Sequence, residues 1–388
     1  MLQFDNTETA FRIKSDKDLK RASRLYKLIS IRWLVKAGTP LVRFASAIRL
    51  PVGWIVKPTI YKQFVGGETL ESCIPAVEKL RSGNVYAILD YSVEGKEEDE
   101  AIEKILQETV RSIKNAAGNR NFPFAVFKPT AFAKTASLTS LSNGAIISAD
   151  DLGESRKFRK RIDILCRTAH ESNVRLLIDA EDTWYQSFID QVVMEMMQKY
   201  NKDKVIVFNT YQMYRHDRLE MLKNDYEKAI QGNFYLGAKF VRGAYMEKER
   251  ERADKLQYPD PIQPDKESTD RDFNLALEFA VEHIDKISVF NGTHNEDSCR
   301  YLTELMTDAG LANDDPAIWF SQLYGMSDHI SFNLAASGYN VAKYMPYGPV
   351  RDVLPYLIRR AEENTSVRGQ TGRELALIRK EMKRRNLI

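Results

Sequence analysis

The chain has no uninterrupted apolar run approaching the roughly 20 residues of a membrane-spanning helix, so no spanning segment is expected. It has only three cysteines among 388 residues, Cys73, Cys166 and Cys299, with no CxxC pair. An odd, scattered set excludes a disulfide framework and points to buried thiols in a reducing compartment. No His, Asp or Glu pair has metal-ligand spacing, which speaks against a hydrolytic metal site. GxSxG, a P-loop and GxGxxG are all missing, so a nucleotide cofactor would be held by something other than a Rossmann fold. The first ten residues contain Asp5 and Glu8 and no apolar run, and neither a secretory signal nor a mitochondrial presequence is expected.

What is present is ordinary for a globular chain, with 43% hydrophobic and 29% charged residues. That length suits two average domains or one large α/β barrel with an extension. The net charge of +3 conceals an asymmetry: Arg12 to Lys62 carries 13 Lys/Arg against two Asp, leaving the remainder net acidic. Residues 1–66 therefore read as a basic N-terminal helical arm and 67–388 as the main domain. Within the arm, 16–35 interleaves Leu19, Leu25, Leu28, Ile29 and Trp33 with Lys20, Arg21, Arg24 and Lys27, the pattern of a basic amphipathic helix. The segment from Pro40 to Ile60 is more apolar. Two fates fit the arm equally, attachment to a membrane surface and packing against the main domain. Nucleic acid is the weaker partner because no recognised module accompanies the charge.

Beyond Gly66-Gly67, short apolar runs alternate with helical patterns. The runs are 85–90, 124–127, 174–178, 205–208, 238–241, 287–290, 317–320 and 341–344. Helical patterns lie between them, around 97–115, 154–172, 184–200, 214–231, 269–285, 295–309 and 326–337. Eight strands that are continuously apolar indicate a parallel sheet, and their number fits a (β/α)8 barrel. Such a barrel gathers its chemistry at the C-terminal strand ends. Those ends offer Asp90 and Glu94, Lys128, Asp179, Gln212, Arg242 and Tyr245, Thr293-His294-Asn295, Gln322 and Tyr344.

Two stretches stand out. In a helix, Tyr356, Arg359, Arg360 and Glu363 fall at i, i+3, i+4 and i+7, so one face carries a ring, two guanidiniums and a carboxylate. That face suits a small carboxylate, although a solvated charged face is the commoner fate of such segments. Lys239-Phe240-Val241-Arg242-Gly243-Ala244-Tyr245 sets two cations beside a pair of small residues, which permits a pyrophosphate or flavin to approach the backbone.

Together these pieces resemble the proline dehydrogenases, flavin-dependent enzymes that oxidise proline. The resemblance rests on Tyr356 to Arg360 with Glu363-Asn364, Val241 to Tyr245, Leu177 to Glu181, Phe127-Lys128-Pro129, Thr293-His294-Asn295 and Gln322 to Met326, spread over about 85–365. It implies a distorted (β/α)8 barrel with the last helix over the barrel mouth, and FAD across the strand ends. Lys128, Arg359 and Arg360 would bind the proline carboxylate, and Tyr245, Leu323, Tyr344 and Tyr356 would wall the ring. Gln212, Lys239, Val241, Arg242, Gly243, Ala244, Thr293, His294, Asn295, Gln322, Arg360 and Glu363 would contact FAD. Asp179, Lys239 and Tyr344 would stand nearest the reacting atoms, and Glu94 would pair with Arg359 as a gate. Lys239 departs from the arginine that many relatives carry.

The resemblance further implies oxidation of L-proline to Δ1-pyrroline-5-carboxylate, with electrons passing to a quinone. A separate pyrroline-5-carboxylate dehydrogenase is the expected partner. The expected location is cytoplasmic, with peripheral contact on the cytoplasmic side of the inner membrane as the arm's contribution. Hydroxyproline dehydrogenase shares nearly all these motifs; the bulk of Tyr344 favours proline. A non-catalytic, membrane-docked barrel that binds an amino acid is the rival from another class.

Overall fold

The structure, a computed structural model, describes residues 2–31, 33, 53–92, 97–144, 147–366 and 370–388, with the side chains of 55, 362–366, 370 and 371 left out. Eight strands form one parallel sheet: β1 (Tyr86–Tyr91), β2 (Phe124–Phe127), β3 (Arg175–Ile178), β4 (Val207–Gln212), β5 (Leu236–Val241), β6 (Ile287–Gly292), β7 (Ile318–Leu323) and β8 (Val341–Tyr347). Their order is β1-β8-β7-β6-β5-β4-β3-β2, so the first strand lies beside the last. With helices between successive strands, this is a (β/α)8 barrel. Both faces of each strand are covered, which is why Ala87, Ile88 and Leu89, or Leu176, Leu177 and Ile178, are buried without alternation.

Several strands run further than their apolar runs. The ladder between β4 and β5 continues through Asn209, Thr210, Tyr211 and Gln212, which pair with Ala238 to Val241. Gln212 and Gln322 consequently lie within strands, not beyond them, while Asp90 and Tyr344 lie in strands as their runs indicate. The backbone ladder does not require apolar side chains, and the polar ends remain buried. Helices Thr135–Asn143, Met246–Leu256 and Gln370–Arg384 also appear where no helical pattern was expected.

The chain divides into two compact units. In the unit Gly95–Ser321, Phe124 packs edge-on against Phe208, Phe290 and Trp319 at centroid distances of 5.6, 5.1 and 5.2 Å. This aromatic cluster fills the space between β2, β4, β6 and β7. Cys166 and Cys299 are buried thiols here, and burial raises the pKa of both.

The unit formed by Met1–Glu94 and Gln322–Ile388 contains β1, β8 and both chain ends. Its helix Asp16–Ile29 starts at a capping box in which Ser15 and Asp18 exchange hydrogen bonds, a device worth about 1 kcal/mol. Leu19, Ala22, Leu25, Tyr26 and Ile29 form the buried face. They pack into one apolar cluster with Val353, Leu354 and Leu357 of helix Val350–Ser366 and with Leu377, Ile378 and Met382 of helix Gln370–Arg384. The amphipathic pattern is thus spent inside the unit. Trp33 and Trp54, by contrast, are 71% and 75% exposed.

Candidate functional site

The strand ends of the Gly95–Ser321 unit carry an ionic triad. Pro129 bars its predecessor from helical geometry, and Lys128 leaves β2 extended at φ −99°, ψ 123°. The Asp179 amide donates to the Phe127 carbonyl at 3.1 Å, fixing the end of β3 beside it. Lys128 Nζ then donates to one Asp179 oxygen at 2.6 Å, and Lys239 Nζ, from within β5, donates to the other at 2.5 Å. Asp179 and Lys239 are 7% and 6% exposed. Burial alone would raise the Asp179 pKa, but the two ammoniums outweigh it and hold the carboxyl well below the usual carboxylate range. One carboxylate faces two cations here, and ammonium donors of this kind suit an anionic ligand. Next to it, Glu181 accepts from the Thr130 amide and hydroxyl at 2.9 and 2.8 Å, tying the loop after β2 to the loop after β3.

Arg242, after β5, is held by three side chains. Its Nε donates to Asp270 at 2.7 Å, Nη1 to the Thr293 hydroxyl at 2.7 Å and Nη2 to the Ser298 hydroxyl at 3.0 Å. The guanidinium lies 4.4 Å from the centroid of the Phe273 ring. Those bonds use three of its five N–H donors. Thr293 also accepts from the Asn295 amide at 3.2 Å, and Asn295 caps helix Glu296–Asp308 by accepting from the Ser298 amide at 3.0 Å. Thr293 and Asn295 therefore build a scaffold that holds Arg242, while His294 between them is half-buried.

The same unit provides a cradle. Gly243 has φ +126°, and a Cβ there would come within 2.5 Å of the Tyr214 ring, so only glycine fits. Gly243 and Ala244 are exposed, and Val241 and Tyr245 are half-buried beside them. Gln212 is 2% exposed, and its Oε1 has no hydrogen-bond partner among the described residues. An orphaned buried amide oxygen asks for a donor. A bare glycine-alanine backbone, that oxygen, Lys239 and Arg242 fit the FAD implied by the resemblance.

The other unit holds the remaining expected residues. Gln322 is buried, and its side-chain oxygen accepts from the Ser331 hydroxyl at 2.7 Å. Leu323 is half-buried against the apolar cluster, and Tyr344 is 7% exposed on β8. Helix Val350–Ser366 realises the expected stripe: Tyr356 is buried, Arg360 is 8% exposed with its guanidinium 5.2 Å from the Tyr356 ring centroid, and Arg359 is half-buried. A solvated charged face is excluded for Arg360. Glu94 lies outside the described residues, and of Glu363 only its place in this helix is described.

Asp270, Ser298 and Glu181 were given no role in the expected site. Glu181 stood only as the end of the Leu177 to Glu181 motif, and Ser298 left a trace in that Asn-x-x-Ser is a helix-capping spacing.

A (β/α)8 barrel that gathers Lys128, Lys239, Arg242 and the bare Gly243 toward its C-terminal face carries them where barrels of this class keep their active sites. The family model described as proline dehydrogenase matches residues 73–373, and the chain belongs to that family. It is 42% identical to "Proline dehydrogenase 1, mitochondrial" of Drosophila melanogaster over 59% of this chain and 35% of that protein, so it spans about a third of that relative's length. It is 32% identical to "Hydroxyproline dehydrogenase" of Xenopus laevis over 97% of this chain and 88% of that protein. Among solved structures, proline utilization A from Bdellovibrio bacteriovorus, inactivated by N-propargylglycine, superposes with a TM-score of 0.73. That alignment covers 93% of this chain and 38% of the other at 19% identity, a likeness of fold.

Proposed function

We propose that the chain is an FAD-dependent oxidoreductase that converts L-proline to Δ1-pyrroline-5-carboxylate and passes the electrons to a quinone. The observation that carries this reading is the buried Asp179 carboxylate holding Lys128 and Lys239 between β2, β3 and β5. FAD, when bound, supplies the two-electron acceptor for the hydride that leaves the ring carbon next to nitrogen.

The chain's own groups do the positioning. Arg359, Arg360 and Lys128 receive the substrate carboxylate, and the planar arginine forks fix its orientation. Tyr245, Leu323, Tyr344 and Tyr356 wall the ring and exclude water. The ring nitrogen must be unprotonated as the hydride leaves, and closely held cations disfavour a positive charge on that nitrogen. Asp179 keeps the two lysines in place, and Lys239 presents a donor toward the cofactor edge. Gln212, Val241 to Ala244, Thr293 to Asn295, Gln322 and Glu363 hold the cofactor. Glu94 is the proposed gate partner of Arg359, and the domain boundary falls at 66/67.

A separate dehydrogenase would oxidise the product. The exposed Trp33 and Trp54 flank a basic segment, which supports peripheral contact with a membrane where quinones reside. The full-length likeness to a hydroxyproline dehydrogenase supports a second reading, in which 4-hydroxyproline is the preferred substrate.

The test is steady-state oxidation of L-proline with a soluble quinone by the wild type and Arg359→Met. The variant is expected to raise the Michaelis constant about 100- to 1,000-fold, as a charge-assisted bidentate contact worth roughly 3–4 kcal/mol implies. An unchanged constant would remove the helix face from the substrate site.

A further inference from the structure

The turn that joins β7 to helix Asp328–Ala336 is buried, and it carries an unusual amount of held backbone. Gly325 sits at φ +81°, where an added Cβ would lie 1.9 Å from the Gln63 carbonyl oxygen. Ser327 adopts the left-handed region at φ +50°, ψ +42°, which costs a non-glycine residue energy that its surroundings must supply. Those surroundings are side chains from distant parts of the sequence. The Gly325 carbonyl accepts from the Tyr26 hydroxyl at 2.8 Å and from Gln63 Nε2 at 2.7 Å. The Met326 carbonyl accepts from Lys343 Nζ at 2.5 Å, and the Ser327 amide donates to Glu374 Oε2 at 3.1 Å. Asp328 closes the turn between Lys14 at 3.1 Å and Lys343 at 2.9 Å.

Three of these groups, Lys14, Tyr26 and Gln63, come from the N-terminal arm; Lys343 comes from β8. Lys343 is fully buried. It precedes Tyr344, whose side chain points to the opposite face of the strand. The turn is tied to that strand a second time, because the Tyr324 amide donates to the Tyr344 carbonyl at 2.8 Å. It begins at Leu323. A displacement of the turn therefore moves Leu323 directly and Tyr344 through the strand.

We propose that Tyr26, Gln63 and Lys343 are positioning residues for substrate: they set the 323–328 turn, and through it Leu323 and Tyr344, so the N-terminal arm tunes the fit of the substrate ring. This rests on the proposed proline oxidation, in which Leu323 and Tyr344 wall that ring. The arm is then part of the substrate site's support, whatever else its exposed tryptophans touch. Removing the two arm donors leaves the Gly325 carbonyl buried without its partners while the ion pairs around Asp328 stay intact. The strained turn loses the restraint that selects its conformation.

The experiment uses the full-length holoprotein. Tyr26→Phe/Gln63→Met is expected to raise the Michaelis constant for L-proline by about five- to thirtyfold, with turnover number within about threefold of wild type and flavin content per protein unchanged. A merely structural role would lower Tm and leave the Michaelis constant where it was, and that result overturns the proposal. Should the double variant fail to fold, Tyr26→Phe alone, which removes one hydroxyl, is read the same way. A rise of about two- to fivefold in the constant supports the proposal, and an unchanged constant overturns it. A wild type that does not oxidise proline sinks the functional reading and this inference together. Wild-type turnover with unaltered variants sinks the inference alone.

Discussion

Asp179 receives the Lys239 ammonium on one oxygen at 2.5 Å, and Lys128 shares the same carboxylate at 2.6 Å through the other. This relationship joins the C-terminal ends of β2 and β3 to the interior of β5 by charge. It makes Asp179 the counter-ion of two groups, each of which has an expected part in binding.

Asp179→Asn removes that counter-ion and leaves two closely spaced ammoniums, one of them buried. Breaking a buried pair from one side costs roughly 3–5 kcal/mol, and the lysines should splay. The variant is expected to lose about 3 kcal/mol in chemical denaturation and at least about 100-fold in kcat/KM for proline. Wild-type kcat/KM would contradict the assignment. Because the folded pKa is depressed, the ion pairs' stabilisation is fully present above the unfolded value near 3.8 and is lost as the pH falls below it.

Tyr344 separates proline from hydroxyproline in this account. Tyr344 is 7% exposed on β8, and the proposed role of its ring is to crowd a 4-hydroxyl. Tyr344→Ser should shift the ratio of kcat/KM for 4-hydroxyproline over proline upward by about tenfold, in line with the 1–3 kcal/mol that small steric changes in a pocket command. Competitive turnover of the two substrates measures this. Faster oxidation of hydroxyproline by the wild type would select the second reading.

Glu374 supplies a pH prediction. Burial is the largest influence on its carboxyl and raises the pKa; His329, 3.6 Å away, opposes this only in part. A raised folded pKa means that the charged form is disfavoured in the native state, so Glu374 destabilises the fold above that pKa and the penalty fades as the pH falls through it. Glu374→Gln keeps an acceptor for the Ser327 amide without the charge. Tm should rise at pH 8, and the gain should shrink toward pH 5. An equal gain at both values would contradict the burial argument.

Much of the barrel was legible because strands covered on both faces must be apolar throughout. Each of the eight runs became a strand, with Phe124–Phe127 matching to the residue. The strand ends were not legible by that signal. Reading stopped at Phe208, yet the ladder continues to Gln212, since backbone pairing is indifferent to a polar side chain. Helix Met246–Leu256 escaped for a related reason: it is nearly all charged, and only Glu249 and Ala253 are buried. Glu249 accepts from the amide and hydroxyl of Thr183, closing the start of helix Thr183–Tyr200 from 66 residues away. No local pattern encodes such a bond.

The candidate site was readable as motifs and unreadable as contacts. Lys128 and Asp179 stood out at strand ends and Lys239 in the stretch leading to Arg242, but their mutual pairing depends on the sheet order. Arg242 was visible; Asp270, which fixes it, follows a loop whose sequence gives no hint of the partner. The arm's periodicity announced an amphipathic helix and left its destination open. Tyr26 and Leu25 are buried within the cluster that includes Leu357, so long-range packing decided the matter for helix Asp16–Ile29.

The central claim is tested most directly by adding L-proline anaerobically to the purified protein and following its visible spectrum. A flavin band that bleaches on addition of proline, and returns when a quinone is supplied, is the predicted result. A protein that binds no flavin, or a flavin band that proline leaves unchanged, would contradict the account.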